Sequence, residues 1–309
     1  MPEKPRSGIH RIGHSLATGS LAGVLVISAC GGSPQTAAEA PPNTPPARPS
    51  ANATVGWSQQ YTTQPDGNLN TTIWNAETGN NNGWGNGEVQ FYSKRAENVR
   101  VAGGDLVLQA RPERYRGFAY TSARITTKEK FSFTYGRLRI VAKLPTSAGV
   151  WPALWLMPED NKYGNVPIAP ADEPQRWLAN GELDIAEGSA QGDNMISGSA
   201  HALHHYPGHH ERTGTADIAD PNAYHSFELD KTPDQIIYSV DGHPYFTLNN
   251  PHTSFADWPY DQPYYLIINI ALGGSMSENL RGTYPPDGIN TSGAPWTMRI
   301  RSIDYFPQP

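Results

Sequence analysis

The 309-residue chain has one cysteine, Cys30. A lone cysteine excludes an intramolecular disulfide and any multi-cysteine metal site. Charge is scarce as well: 17% of residues are charged, the net charge is −6, and no long run of one sign occurs. Nucleic-acid binding needs a basic patch, so no nucleic-acid partner is expected. Few windows read as amphipathic helix, which sets bundles aside. There is no internal repeat, no P-loop and no Rossmann glycine pattern. What the chain does have is 30 Gly, 28 Pro, 15 Tyr and 8 Trp. That balance suits many turns and aromatic surfaces, and it favours sheets.

The N-terminal third of the first hundred residues reads as targeting sequence. Lys4, Arg6 and Arg11 make a positive start, and Ser15 to Ala29 is apolar and small. That run has the length of a signal-peptide core and is short for a membrane span. It ends in Ile27-Ser28-Ala29-Cys30, which resembles a bacterial lipobox: a branched aliphatic, two small residues, then the cysteine. The resemblance implies a signal peptide over 1–29, cleavage before Cys30, and lipidation of its thiol. Acyl chains contribute about 0.8 kcal/mol per buried methylene, which anchors a protein when summed. Gly31 follows, where an aspartate would resemble an inner-membrane retention signal. An exported, cell-envelope lipoprotein at the outer membrane or cell surface is therefore expected. Residues 30–53 are rich in Pro, Ala, Ser, Thr and Asn, bury little, and read as an extended flexible linker.

From residue 54 to 309 the pattern changes. Val99–Val101, Leu106–Ala110, Gly136–Ala142, Ile236–Val240 and Tyr264–Ile270 read as strands, several of them alternating apolar with polar residues. Gly103-Gly104-Asp105, Asp241-Gly242 and Gly273-Gly274 are turn signals, and Asp241-Gly242 predicts a hairpin. One antiparallel β-sandwich is the expected architecture.

Gly181-Glu182-Leu183-Asp184-Ile185-Ala186-Glu187 carries the chemistry. On a strand, Glu182 and Asp184 share one face while Leu183 and Ile185 face the core. Plain alternation puts Glu187 on the opposite face. One extra residue, a β-bulge, returns it to the face of the other two. Acidic side chains at i, i+2 repel and are poor strand formers, so packing alone gives little reason for them. The alternative is a solvated edge strand with some acids on it.

Gly149 to Pro158 (GVWPALWLMP) precedes this strand, and the whole stretch resembles glycoside hydrolase family 16, in particular its laminarinase-like endo-β-1,3-glucanases. Further motifs agree in order: Gly83 to Gln90 (GWGNGEVQ), Ser122 to Ile125, Tyr224 to Gly242, Ile268 to Gly274, and Ile303 to Phe306. The resemblance covers roughly Trp57 to Phe306. It implies a β jelly roll with a substrate cleft across the concave sheet, so that 54–309 is the catalytic domain. It also implies Glu182 as nucleophile and Glu187 as general acid/base of a retaining hydrolysis, with Asp184 between them holding the nucleophile. Retaining chemistry places two carboxyl groups about 5–5.5 Å apart, and the acid needs a raised pKa, which crowding by other carboxylates supplies.

The same resemblance puts Trp151 and Trp155 in the cleft, Trp155 ranking ahead. It puts Asn86 and Arg124 against sugars in the glycone subsites and His201 near the leaving group. A solvated strand residue is the alternative for Arg124. The run His204, His205, His209 and His210 invites a metal reading, but it lacks a helical pair and sits beside Pro207 and Gly208; a polar loop at the cleft rim fits it better. No cofactor is expected for catalysis. Many family members hold a structural calcium, and Asp304 matches its C-terminal ligand. The N-terminal counterpart is usually acidic, whereas Trp57-Ser58-Gln59-Gln60-Tyr61 offers glutamines, a departure that counts against calcium. Ser275-Met276 and the insertion-like stretch Val166 to Leu178 also depart from the pattern and reshape the cleft walls.

The expected function is endo-acting hydrolysis of a polysaccharide, first of all a β-1,3-glucan, by a monomer. The alternatives are a non-catalytic surface glycan-binding protein, or the same machinery working on a mixed-linkage glucan or a galactan, or as a transglycosylase.

Overall fold

The computed structural model describes residues 54–204, 211–275 and 288–308. The expected signal peptide, Cys30, the linker, and His205, His209 and His210 lie outside the described residues. The described chain is an antiparallel β-sandwich, as the alternating runs predicted.

One sheet has eight strands. Its main path runs Glu211–Asp217, Met195–His201, Glu182–Gly188, Val150–Pro158, Tyr264–Leu272, Arg124–Thr126, Asn75–Ala76, with Ser132–Phe133 also paired to Tyr264–Leu272. The other sheet has eleven strands, and its path runs from His243–Asn249 through Gln235–Val240, His225–Lys231, Gly136–Lys143, Trp296–Pro307, Asp105–Tyr115 and Val99–Ala102 to Gly67–Asn68. The predicted strands fall inside these spans. The hairpin at Asp241-Gly242 also forms: Val240 pairs with His243, and both turn residues have positive φ, 50° and 73°. That is the primed turn geometry that matches strand twist.

The core lies between the sheets. Gly136–Lys143 buries every other residue, Leu138, Ile140 and Ala142 among them, because alternation sends one face inward. Leu154, Leu156, Leu183, Ile185, Ile268 and Ile270 answer from the eight-stranded sheet, all at 0% exposure. Each large side chain so buried stabilises by about 1.5–3 kcal/mol. With those residues facing inward, Glu182 and Asp184 are left on the outer face of that sheet. The Val166 to Leu178 stretch leads into a 3-10 segment, Pro170–Asn180, ahead of the carboxylate strand.

Candidate active site

The strand Glu182–Gly188 is interior to its sheet, paired on both sides. Against Val150–Pro158, Asp184 faces Trp155 while Ala186 faces Leu154. Ile185 is therefore the extra residue of a bulge. Against Met195–His201 the same shift appears, with Asp184 opposite Ser199 and Glu187 opposite Ser197. The predicted bulge exists and brings Glu187 to the face of Glu182 and Asp184; all three line one cleft. The Tyr245 hydroxyl, reaching across from the other sheet, donates to the Ile185 carbonyl and ties the bulge down.

Each carboxyl group meets a different neighbour. Trp151 Nε1 donates to Glu187 Oε1 at 2.9 Å. His201 Nε2 lies 2.8 Å from Asp184 Oδ2, and His201 is the register partner of Glu182. Burial first, then the charge of Asp184, push the Glu182 carboxyl up to about 8. The same two causes push Glu187 well above the ordinary carboxylate range. His201 and Arg124 pull Glu182 back down, and the Trp151 indole does so for Glu187. A cluster of this kind retains protons near neutrality and can deliver one.

The cleft has a volume of about 430 Å³, and Asn86, Trp151 and His201 line it with the three carboxylates. Trp155 and Arg124 stand on the strands beside it, Arg124 opposite Asn269. Trp155 Nε1 donates to Asn269 Oδ1 at 2.7 Å. The Arg124 guanidinium sits 4.5 Å from the Trp84 ring and 4.8 Å from the Trp155 ring, and pairs with Glu77. Arg124 is thus built into an aromatic sandwich and is not a solvated strand residue. Of the two tryptophans, Trp151 hydrogen-bonds to a cluster carboxylate and Trp155 to the Asn269 amide. Register sets Trp155 opposite Asp184, but its indole N–H turns the other way, toward the Asn269 amide on the neighbouring strand.

Several lining residues escaped sequence reasoning. Ser197, Ser199, Thr213 and Thr215 form a hydroxyl floor on the two strands beyond the carboxylates. Small hydroxyl residues are ordinary in strands, and only register gives them a common face. Trp177 also lines the cleft and is 54% exposed; its place on the Val166 to Leu178 insertion was the available signal.

The Asp304 metal expectation does not fit. Its Oδ1 accepts from Ser58 Oγ and from Gln60 Nε2, each at 2.7 Å, and its Oδ2 accepts from Arg139 at 3.1 Å. Three donors, one of them a guanidinium, already take up this carboxylate, and Gln60 presents an N–H to it where a calcium site would gather oxygens. His204 is half exposed, 3.8 Å from Asp257, which gives no metal cage. Glu182, Asp184 and His201 offer ligand atoms within 4.8 Å of one another, so a divalent ion there would displace the protons that the carboxylates carry.

A sandwich with a bulged carboxylate strand in an open cleft defines a class, and comparison places the chain in it. The family model for glycosyl hydrolases family 16 matches residues 81–287; the chain belongs to this family. It is 37% identical over 230 residues to the beta-glucanase of Rhodothermus marinus, covering 71% of this chain and 75% of that one. It is 34% identical over 268 residues to glucan endo-1,3-beta-glucosidase A1 of Niallia circulans, covering 78% of this chain and 36% of that longer protein. The solved laminarinase from Rhodothermus marinus superposes with a TM-score of 0.72 at 32% identity, over 82% of this chain and 97% of that one.

Proposed function

We propose that the chain is an endo-acting, retaining β-glucanase whose first substrate is β-1,3-linked glucan. One observation carries the reading: the bulge at Ile185 gathers Glu182, Asp184 and Glu187 on one face of an open cleft. Glu187 donates its proton to the glycosidic oxygen as the Glu182 carboxylate attacks the anomeric carbon. The bond to the leaving sugar breaks, and that sugar departs as an alcohol carrying the proton. Glu187, now a carboxylate, takes a proton from water; the water oxygen attacks the anomeric carbon and releases Glu182. Two inversions give net retention. The Trp151 indole holds one oxygen of Glu187 and leaves the other to carry the proton. His201 fixes Asp184, which in turn orients Glu182 and tunes its charge. None of these steps calls for a metal or redox group.

Incubation with laminarin, lichenan, agarose and carrageenan tests the substrate. Reducing ends are expected first from laminarin, and silence on all four substrates favours a glycan-binding protein. NMR of the first products is expected to show the retained anomer; the inverted anomer would sink the double displacement.

Residues 1–29 and Cys30 support export and lipid anchoring, with 30–53 as tether and 54–309 as the working domain. Acyl labelling of the full chain, lost in Cys30→Ser, is the expected result.

A further inference from the structure

Glu88 is a buried carboxylate, 6% exposed, outside the catalytic cluster. Its backbone is bridged to Gly273, and its side chain bonds to Asn86, which lines the cleft. Three donors converge on it: Gln90 Nε2 at 2.6 Å and Tyr92 Oη at 2.9 Å on Oε2, and Asn86 Nδ2 at 3.4 Å on Oε1. Gln90 cannot turn round, because its Oε1 accepts from the Leu272 amide at 2.8 Å. The far end of the chain is fixed too. An indole N–H only donates, so the Asn269 oxygen must face Trp155 Nε1. The Asn269 Nδ2 then donates to Tyr92 Oη at 3.1 Å, and the Tyr92 proton is left for Glu88. Every bond from Trp155 to Glu88 thus runs in one direction and ends on a group that only accepts. Burial raises the Glu88 pKa, while Gln90, Tyr92, Arg124 and Asn86 oppose that rise.

We infer that Glu88 is a positioning residue: its ionised carboxylate fixes, through Tyr92 and Asn269, the Trp155 indole, and turns the Asn86 amide so that its oxygen is offered to the cleft. The inference rests on the proposed glucanase reading only where it takes Asn86 and Trp155 to meet sugar. An amide at position 88 removes the charge on which the chain ends, and its NH₂ must oppose either Gln90, which breaks the chain, or Asn86, which turns that amide's oxygen away from the cleft.

The test begins without substrate, on the full chain. Trp155 and Trp151 indole N–H signals are assigned in ¹H–¹⁵N spectra with Trp155→Phe and Trp151→Phe, then followed in Glu88→Gln and in Tyr92→Phe. Tyr92→Phe keeps the charge and the burial, and it decides the matter if Glu88→Gln fails to fold. The Trp155 signal is expected to shift and to exchange faster with water in both variants, while the Trp151 signal, bonded to Glu187, stays. On laminarin, KM of Glu88→Gln is expected to rise about five- to tenfold, the size of one or two lost hydrogen bonds, with kcat within about twofold. An unmoved Trp155 signal overturns the inference, as does an unchanged KM beside a moved signal. If the parent cleaves no glucan, the functional reading fails, and the indole signal still decides whether Glu88 positions Trp155.

Discussion

The floor of the cleft is built differently on the two sides of the carboxylate strand. Toward Tyr264–Leu272 and Arg124–Thr126 it is aromatic, and its polar atoms are already committed: Trp155 to Asn269, Arg124 to Glu77, Trp151 to Glu187. Toward Met195–His201 and Glu211–Asp217 it is made of Ser197, Ser199, Thr213 and Thr215, where Ser199 and Thr213 hydroxyls meet at 3.1 Å. A hydroxyl rotates and either donates or accepts; an indole can only donate, and here its one proton is already given. The fixed half suits a ring that must be held in register while its bond is cut. The adaptable half suits a sugar that arrives, is released and is replaced by water.

The strongest way to break this comparison is to remove the boundary. Glu182→Gln is expected to abolish reducing-end release, and Glu187→Gln to lower kcat by about 10²–10⁴-fold, the usual contribution of a general acid. Activity surviving in Glu182→Gln would move the nucleophile elsewhere.

Two variants sharpen the roles through pH. Glu187 must be protonated to act as acid, so kcat/KM is expected to fall as pH rises through its elevated pKa. Asp184→Asn removes a charge that raises that pKa, and the alkaline limb should move to lower pH. Trp151→Phe removes a hydrogen bond that lowers it, and the limb should move to higher pH. Shifts in the same direction would contradict the geometry.

Next come the floors themselves. Trp155→Ala removes an aromatic platform and strands Asn269, with a rise in KM of about tenfold or more expected. Thr213→Ala removes one rotor, and a rise of a few-fold at most is expected. Equal effects on laminarin kinetics would erase the distinction between the halves.

The smallest effect is on stability. A carboxyl whose folded pKa is raised binds its proton more tightly in the native state, so it lowers stability as pH climbs from the ordinary value toward about 8. Glu182→Gln removes that cost. Its melting temperature is expected to exceed the parent's at pH 8 by more than at pH 4, as thermal unfolding at the two pH values would show.

The fold and the catalytic strand were legible because they rest on local rules. Alternation located Gly136–Lys143 and Gln235–Val240, Asp241-Gly242 announced its own turn, and the i, i+5 spacing of Glu182 and Glu187 demanded a bulge that is there. What stayed hidden depends on pairing across the sheet. Nothing local to Thr213 says that it stands opposite Ser199, or that Glu77 answers Arg124 from 47 residues away. The same holds for Asp304: the glutamines near the N-terminus counted against calcium, but Arg139, which pairs with the Asp304 carboxylate, comes from a different strand.

The bulge at Ile185 has a consequence for how such sites are recognised and how they change. A strand is read in a frame of two, and an extra residue shifts that frame once. Deleting Ile185 would leave Glu182, Asp184 and Glu187 at every second position, so all three would still face the cleft without any bulge. Deleting Ala186 would do the same, whereas deleting Leu183 or Asp184 has no such escape, because it costs a core contact or a carboxylate. The strand therefore has two workable frames, five apart with the bulge and four apart without it. Tyr245 holds this chain in the first. A lineage could cross between the two by losing a single codon and keep its chemistry, and a search for such enzymes by one fixed spacing would see only one side of that crossing.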